Sequence, residues 1–202
     1  MMKIIGLTGP SGAGKSTIAA LSKEMGFSVI DCDKIAKVTS NKPEVLRAVE
    51  KTFGSHLIKD GKLDRKELAK IAFSDEKSTA LLNSIMLPPI VLDITAECKE
   101  LKKKGVKAVI LDAPTLFESG LGMTCDETIA VLATHDTRKE RITSRDELNE
   151  QQVSYRLNAA KPEEYFTERT KYIIYNNGTK DELIDTAKTM LTKIITKDGE
   201  NG

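Results

Sequence analysis

Residues 9–17 read Gly-Pro-Ser-Gly-Ala-Gly-Lys-Ser-Thr and directly follow the apolar run of residues 4–8. They match the pattern G-x-x-x-x-G-K-[ST], in which a glycine-rich turn points backbone N–H groups at a phosphate in front of a helix. A glycine-rich turn that binds nothing is the alternative, and a strand before and a helix after the loop argue against it. We therefore predict a nucleotide-binding loop. Its predicted phosphate-binding residues are Ser11, Gly12, Ala13, Gly14, Lys15, Ser16 and Thr17.

Two of these residues have specific chemical roles in such a loop. Lys15 supplies a mobile positive charge for the β- and γ-phosphates, which makes it a predicted catalytic residue. The hydroxyl of Ser16 is a ligand of the kind that Mg²⁺ prefers. ATP and Mg²⁺ are therefore the expected cofactors.

The remaining apolar runs predict an α/β fold. Strand-like runs alternate with segments of helical periodicity, and the first strand, helix and second strand form a βαβ unit, whose crossover implies a parallel sheet. The five predicted strands cover residues 4–8, 27–30, 106–111, 127–132 and 172–175. We expect a P-loop kinase fold, a five-stranded parallel sheet with helices on both faces, and a helical stretch between the second and third strands.

This pattern divides the chain into three parts. Residues 1–33, 93–137 and 161–202 form the predicted nucleotide-binding core, residues 34–92 a helical insertion without strands, and residues 138–160 a lid. The helices of the insertion are expected to stop at Pro88-Pro89, and a separate amphipathic helix to run from Pro89 to Lys104.

Composition narrows the function. The 202 residues carry a net charge of +1 and have 4% aromatic residues and no Trp, which disfavours a nucleic-acid-binding surface. Three dispersed cysteines fit neither a disulfide framework nor a zinc site. Because no apolar run approaches about 18 residues, we expect a soluble cytoplasmic protein that binds neither membrane nor nucleic acid. The pattern is compatible with a monomer and leaves the oligomeric state open.

Carboxylates follow two of the predicted strands. The strand of residues 106–111 leads to Asp112, which resembles the second acidic element that helps hold Mg²⁺ in P-loop enzymes, and a turn-forming role is the alternative. Asp31 and Asp33 follow the second strand, at the sheet edge where ligands bind. One of this pair is expected to cap the next helix, and Asp33 is the candidate catalytic base for a substrate hydroxyl.

Arginines recur in the predicted lid. Arg138, Arg141 and Arg145 are spaced by three and four residues, so they share one helical face, and Arg156 lies on the next helix. A solvated face paired with Glu140, Asp146 and Glu147 is one account. The other is a lid whose arginines clamp the transferring phosphoryl group and exclude water.

An ordered set of motifs resembles dephospho-CoA kinase over nearly the whole chain. The motifs are the phosphate loop, Asp31-Cys32-Asp33, Leu63-Asp64-Arg65, Leu82-Asn83-Ser84-Ile85, Leu111-Asp112-Ala113-Pro114-Thr115-Leu116-Phe117-Glu118, Arg141 with Arg145, and Asn176-Asn177-Gly178.

The resemblance implies ATP-dependent phosphorylation of the ribose 3′-hydroxyl of dephospho-coenzyme A, a small-molecule partner. It implies that Asp33 is the base, that the helical insertion binds the acceptor and that the arginine hairpin is the lid. In this reading Arg141 is catalytic, Arg145 and Asn177 contact the nucleotide, and Ser16 with Asp112 holds the metal.

The chain departs from the family pattern at several positions. It has Leu87 where a His is usual, Arg138 where a Gln is usual, Ala160 where a second Gln is usual, and Thr170-Lys171 where Ala-Asp is usual. A different small-molecule kinase, with a nucleoside-monophosphate or shikimate-type acceptor, is therefore the alternative, and a nucleotide-controlled switch protein is the third hypothesis.

Overall fold

The glycine-rich loop joins a buried strand to a helix, as the sequence predicts. The computed structural model describes residues 2–72, 75–146 and 148–196. In it, strand β1 (Lys3–Thr8) leads through the loop to helix α1 (Lys15–Glu24), and strand β2 (Ser28–Asp31) follows. The predicted βαβ unit is therefore present.

Five parallel strands form the main sheet, which confirms the predicted fold class. Besides β1 and β2, they are β5 (Ala108–Asp112), β6 (Glu127–Leu132) and β7 (Tyr172–Tyr175). The order across the sheet is β2-β5-β1-β6-β7, and every neighbouring pair is parallel. Because all five strands point the same way, the segments that follow them lie along one edge of the sheet, where open α/β sheets bind ligands.

Helices cover both faces of this sheet. Ile129 and Val131 of β6 belong to a core with α1 and α9 (Lys180–Thr196), whereas Ala130 and Leu132 contact Phe166 on the opposite face. This alternation along one strand is the expected result of side chains that point to opposite faces. Three shorter helices lie between β6 and β7. They are α6 (His135–Arg145), α7 (Glu150–Asn158) and α8 (Glu163–Thr167).

The described residues fall into two compact units, one within Met1–Asp31 and Leu101–Gly202 and the other within Cys32–Glu100. The second unit is mainly helical. Its elements are α2 (Cys32–Thr39), α3 (Pro43–Phe53), β3 (Ile58–Lys59), β4 (Lys62–Leu63), α4 (Arg65–Ala72) and most of α5 (Glu76–Lys103). Its core is made of Val45, Val49, Leu57, Leu63, Leu68 and Leu82.

Two expectations for this segment are wrong. The insertion contains a two-stranded antiparallel hairpin, β3–β4, whose turn is Asp60-Gly61. Both turn residues have positive φ, 50° and 71°, which the tight turn of such a hairpin requires. Helix α5 also runs straight through Pro88 and Pro89 instead of stopping there. Each proline removes an N–H donor and crowds the preceding turn, but buried residues before and after them, including Leu82 and Ile90, anchor both halves of the helix.

Helix α5 is more apolar than the sequence analysis expects of any segment of this chain. Among the described residues, Glu76–Lys103 is long enough and, with a mean hydropathy of 1.4 over 18 residues, apolar enough to span a membrane. Length and composition are weak evidence, because core helices meet the same criteria.

Candidate active site

The phosphate loop has no room for side chains at its glycines. Gly14 has a φ of 111°, and a Cβ placed on it would lie 2.4 Å from Nδ2 of Asn176. A Cβ on Gly12, whose φ is 80°, would lie 2.8 Å from the carbonyl oxygen of Arg138. The loop therefore keeps its shape by close contact with two later segments of the chain, and glycine is the residue that permits this approach.

Helix α1 begins directly behind this loop. Gly14 is its N-cap and, since glycine has no side chain, makes no side-chain hydrogen bond to the first turn. The N-terminus of a helix carries partial positive charge and N–H groups that point outward. The local arrangement therefore suits an anion such as a phosphate group.

Lys15 lies folded against the loop itself. Its Nζ donates to the carbonyl oxygens of Gly9 at 2.6 Å and Pro10 at 3.4 Å. These bonds hold the ammonium group over the loop, which is the position from which it can follow the phosphates of a nucleotide.

Asn176 ties the phosphate loop to the end of β7. Its side chain is buried, and its Nδ2 donates to the carbonyl oxygen of Ala13 at 2.7 Å. Its backbone N–H donates to the carbonyl oxygen of Leu132 at 2.7 Å, which continues the pairing of β6 and β7. The side-chain amide of Asn176 therefore holds the phosphate loop next to the loop that follows β7.

The segment after β7 also receives Arg141. Its Nη1 donates to the carbonyl oxygen of Asn176 at 2.9 Å, and its Nη2 lies 3.2 Å from the carbonyl oxygen of Gly178. The neighbouring Asn177 accepts a hydrogen bond at Oδ1 from the N–H of Thr134, at 2.8 Å. Residues predicted to contact nucleotide therefore meet at one place, where the loops after β6 and β7 adjoin the phosphate loop.

The arginine-bearing segment is a helical hairpin with a small core of its own. Ile142 on α6 packs with Val153 and Leu157 on α7. A capping box between Asn149 and Gln152 fixes the start of α7. The two helices of this hairpin are His135–Arg145 and Glu150–Asn158, and Glu147 lies outside the described residues. The role of residues 138–160 as a lid stays a prediction.

The three arginines of α6 have different partners. Arg138 is buried and donates from Nε to the carbonyl oxygen of Ser11 at 2.9 Å. Arg145 instead makes a bidentate pair with Asp146, at 2.8 and 2.9 Å, and Arg156 donates to the same carboxylate at 2.5 Å. These two arginines lower the pKa of Asp146, chiefly through the Arg145 hydrogen bonds. The structure therefore brings Arg138 and Arg141 to the phosphate loop region and engages Arg145 elsewhere.

Two carboxylates lie at the carboxyl edge of the sheet. Asp112 is the last residue of β5, opposite Leu7 of β1 on one side and Asp31 of β2 on the other. The N–H of Ala113 donates to the carbonyl oxygen of Leu7 at 3.0 Å, so the chain leaves β5 still bound to β1. Asp112 therefore lies on the strand next to the one that leads into the phosphate loop.

Two residues that follow Asp112 in the sequence, Phe117 and Glu118, contact Tyr165 of α8. The ring of Phe117 lies edge-on to Tyr165, with centroids 6.2 Å apart. Burial raises the pKa of Tyr165 to about 12, and the charge of Glu118, which accepts its hydroxyl proton in a hydrogen bond, adds to this effect. This segment thus joins the end of β5 to α8.

In the second unit, Asp33 lies in the first turn of α2, which begins at Cys32. Arg65 at the start of α4 donates from Nη2 to the carbonyl oxygen of Ala36 at 3.0 Å and to the hydroxyl of Ser40. Burial lowers the pKa of Arg65, and the charge of Asp33 opposes that shift. A cation therefore lies close enough to Asp33 to interact with its charge.

Comparison with known proteins supplies the remaining evidence. The family model described as dephospho-CoA kinase matches residues 3–182. The chain belongs to the dephospho-CoA kinase family. A dephospho-CoA kinase from Fusobacterium nucleatum is 36% identical over 181 residues, which are 89% of this chain and 92% of that protein.

Solved structures agree with this membership. A protein from Thermus thermophilus superimposes with a TM-score of 0.79 at 32% identity, over 95% of this chain and 97% of that one. A shikimate kinase from Acinetobacter baumannii matches with a TM-score of 0.56 at 14% identity, over 98% and 95% of the two chains. The latter likeness is one of fold alone, so it carries no information about the acceptor.

Sequence reasoning about this dephospho-CoA kinase fold missed two residues of the site. Asn176 belongs to the motif Asn176-Asn177-Gly178, but its hydrogen bond to Ala13 joins residues 163 positions apart, and no local sequence pattern predicts such a contact. Arg65 belongs to the motif Leu63-Asp64-Arg65, but its interaction with Asp33, 32 positions earlier, is evident only from the structure.

Proposed function

We propose that this protein is a dephospho-CoA kinase, which transfers the γ-phosphoryl group of ATP to the ribose 3′-hydroxyl of dephospho-coenzyme A. The products are coenzyme A and ADP, and the reaction is the final step of coenzyme A biosynthesis. The observation that carries the proposal is the family match over residues 3–182, which includes the phosphate loop and all the motifs named above. In the reaction, a bond forms between the 3′-oxygen and the γ-phosphorus as the bond from that phosphorus to the β-γ bridging oxygen breaks.

On the donor side, residues 11–17 would bind the phosphates of ATP. The N–H groups at the start of α1 would orient them, and Lys15 would neutralise charge that develops on the transferring group. The carbonyl oxygens of Gly9 and Pro10 that bind Lys15 support this role, because they hold its ammonium group at the loop.

On the acceptor side, Asp33 would accept the proton of the 3′-hydroxyl. Its position two residues after β2, at the start of α2, supports this role, because side chains at the carboxyl ends of parallel strands are placed for catalysis. Arg65 carries a positive charge that interacts with the charge of Asp33, so the carboxylate has a cation nearby in the same unit. The helical unit of residues 34–92 would bind the rest of the acceptor.

Ser16 and Asp112 would hold Mg²⁺. One hydroxyl and one carboxylate, both hard oxygen donors, fit an ion that usually keeps several waters and binds substrate phosphates. Among the described residues no group of three or more His, Cys, Asp or Glu side chains is placed to hold a metal ion. When bound, the ion would neutralise charge on the β- and γ-phosphates.

The helical hairpin α6–α7 would act as the lid. Arg141 of α6 would stabilise the transferring phosphoryl group, and its hydrogen bonds to the segment after β7, next to the phosphate loop, support this role. Arg145 and Asn177 would contact the nucleotide, which for Arg145 requires exchange of its partner Asp146. The absence of water from a closed site would prevent hydrolysis of ATP. We place the enzyme in the cytoplasm, with a small molecule as its substrate and with neither membrane nor nucleic acid as a partner.

The test is an ATP-consumption assay with purified protein and a panel of acceptors. Dephospho-coenzyme A should support turnover, and AMP and shikimate should not. Turnover with AMP or shikimate alone would replace the proposed function with the alternative kinase, and a basal ATPase without any acceptor would favour the switch hypothesis.

A matched pair of variants tests the role of Asp33. Asp33→Asn keeps the size of the side chain but cannot accept the proton, so kcat should fall by about 10- to 10⁴-fold while ATP affinity stays nearly unchanged. Asp31→Asn is the control and should act mainly on stability. If the Asp31 variant were inactive and the Asp33 variant active, the two roles would be exchanged.

A further inference from the structure

Arg138 is an unusual cation because it is buried against the phosphate loop. Its exposed fraction is 8%, and its Nε donates to the carbonyl oxygen of Ser11 at 2.9 Å. Its backbone carbonyl also crowds Gly12, where a Cβ would lie only 2.8 Å away. Both the side chain and the backbone of this residue therefore contact the loop that is predicted to bind phosphate.

The charge of Arg138 has no counterpart in the described protein. Its Nη2 is buried and has no hydrogen-bond partner among the described residues. Burial lowers the pKa of Arg138, and no described carboxylate opposes that shift. Arg145, seven residues later on the same helix, shows the contrasting case of an arginine with a bidentate carboxylate partner.

A buried guanidinium without an anion is costly, since both its charge and its unmade hydrogen bonds disfavour burial. A counter-charge supplied by a ligand would offset this cost. The ligand expected at residues 9–17 is a nucleoside triphosphate, whose phosphates are the strongest anions available at this loop.

We propose that the phosphates of ATP are the counter-charge of Arg138, which makes this arginine a second cation of the phosphate site beside Lys15. It is a positioning residue. Its side chain donates a hydrogen bond to the Ser11 carbonyl and so fixes the loop. Its positive charge stabilises the bound phosphates without contacting the reacting atoms. This inference rests on the proposed function only in that ATP binds the loop.

Three variants separate charge from packing. Arg138→Gln removes the charge but keeps an N–H donor for the Ser11 carbonyl, and Arg138→Lys keeps the charge. Lys188→Gln is the control, because it removes one exposed charge from α9 in the same unit. Isothermal titration calorimetry without acceptor would measure the Kd of ATP and of ADP, each with Mg²⁺, and thermal unfolding would be followed with and without ATP.

We expect Arg138→Gln to weaken ATP binding about tenfold, because the variant removes one unit of positive charge next to the phosphate loop. ADP binding should weaken less, because ADP carries one negative charge fewer. Arg138→Lys should retain most of the affinity, and Lys188→Gln all of it. Without ligand, Arg138→Gln should unfold at the wild-type temperature or above it, since an uncompensated buried charge has been removed.

Several results would overturn the proposal. They are wild-type ATP affinity in Arg138→Gln, equal weakening by Gln and Lys, equal effects on ATP and ADP, or a ligand-free Arg138→Gln variant that is markedly destabilised or does not fold. The last three would assign Arg138 to packing alone. If the wild-type enzyme left dephospho-coenzyme A unphosphorylated while Arg138→Gln still lost ATP affinity selectively, the proposed acceptor would be wrong and this inference would stand.

Discussion

Asn176 joins the phosphate loop to the end of β7, and we predict that Asn176→Ala lowers the free energy of unfolding by about 1.5–4.5 kcal/mol. The Nδ2 bond to the Ala13 carbonyl is 2.7 Å long, and Ala13 is fully buried. Leaving that carbonyl without its donor should cost about 1–3 kcal/mol. The longer bond from Arg141 Nη2 to Oδ1 of Asn176, at 3.3 Å, adds about 0.5–1.5 kcal/mol.

Urea unfolding followed by circular dichroism would measure this change. Asn176→Asp is an informative second variant, because it keeps the shape and an acceptor for Arg141 but has no N–H to donate to Ala13. It should therefore also be destabilised at pH 7. Asn177→Ala is the matched control, since the neighbouring side chain is exposed and accepts one hydrogen bond from Thr134, so its loss should cost no more than about 1 kcal/mol.

The result that would refute this reasoning is a change below about 0.5 kcal/mol for Asn176→Ala, which is the range of ordinary surface substitutions. A loss equal to that of Asn177→Ala would refute it as well, because burial would then have no effect. A parallel titration with ATP should show weaker binding in Asn176→Ala, since the Ala13 carbonyl that shapes the loop is no longer held.

Two further predictions concern single charges. Lys15→Ala should reduce kcat with dephospho-coenzyme A by about 10²-fold or more while the unfolding midpoint stays close to that of the wild type, and near-normal turnover with Mg²⁺ and ATP would contradict the role of the loop. Hydrogen bonds from Lys42 and Thr39 lower the pKa of Asp93 below 3.8, so its ionised form stabilises the fold above that value, and this stabilisation is lost as pH falls through the lowered pKa. Because this ion pair is partly exposed, Asp93→Asn should cost about 0.5–1 kcal/mol at pH 7. In a urea unfolding series this cost should shrink as the pH falls below about 4, the ordinary pKa of Asp, and a cost independent of pH would contradict the assignment.

Local patterns predicted those parts of the fold in which sequence neighbours determine structure. Apolar runs marked all five strands, and the glycine-rich loop predicted the helix α1 that follows it. The last helix, α9, begins at a capping box, a local signal in which Glu182 accepts from the N–H of Thr179 and the hydroxyl of Thr179 accepts from the N–H of Glu182. Each of these signals acts within a few residues, and in each case the local preference agrees with the tertiary packing.

Predictions failed where a local signal was missed or was outweighed by packing. Asp60-Gly61 is a strong turn signal between two short apolar-polar pairs, and it marks the β3–β4 hairpin that the helical interpretation overlooked. Pro88 and Pro89 are strong helix-ending signals, and yet α5 continues through them. In that case buried side chains on both sides of the prolines stabilise a helix that local propensity alone would interrupt.

The arginines of α6 show why the candidate site could be predicted only in outline. Their spacing of three and four residues predicts that they share one face of the helix, but it does not predict which group each guanidinium binds. Arg141 binds backbone carbonyls beyond β7, and Arg145 binds a carboxylate next to it in the sequence. Arg138 is buried at a loop 127 residues earlier without an anionic partner in the described protein. A cation already paired with a carboxylate must give up that partner before it can bind phosphate, whereas an uncompensated cation gains stability from phosphate directly. Arg138, which spacing alone did not distinguish from its neighbours, is therefore the arginine of this helix with the most to gain electrostatically from ATP in the phosphate loop.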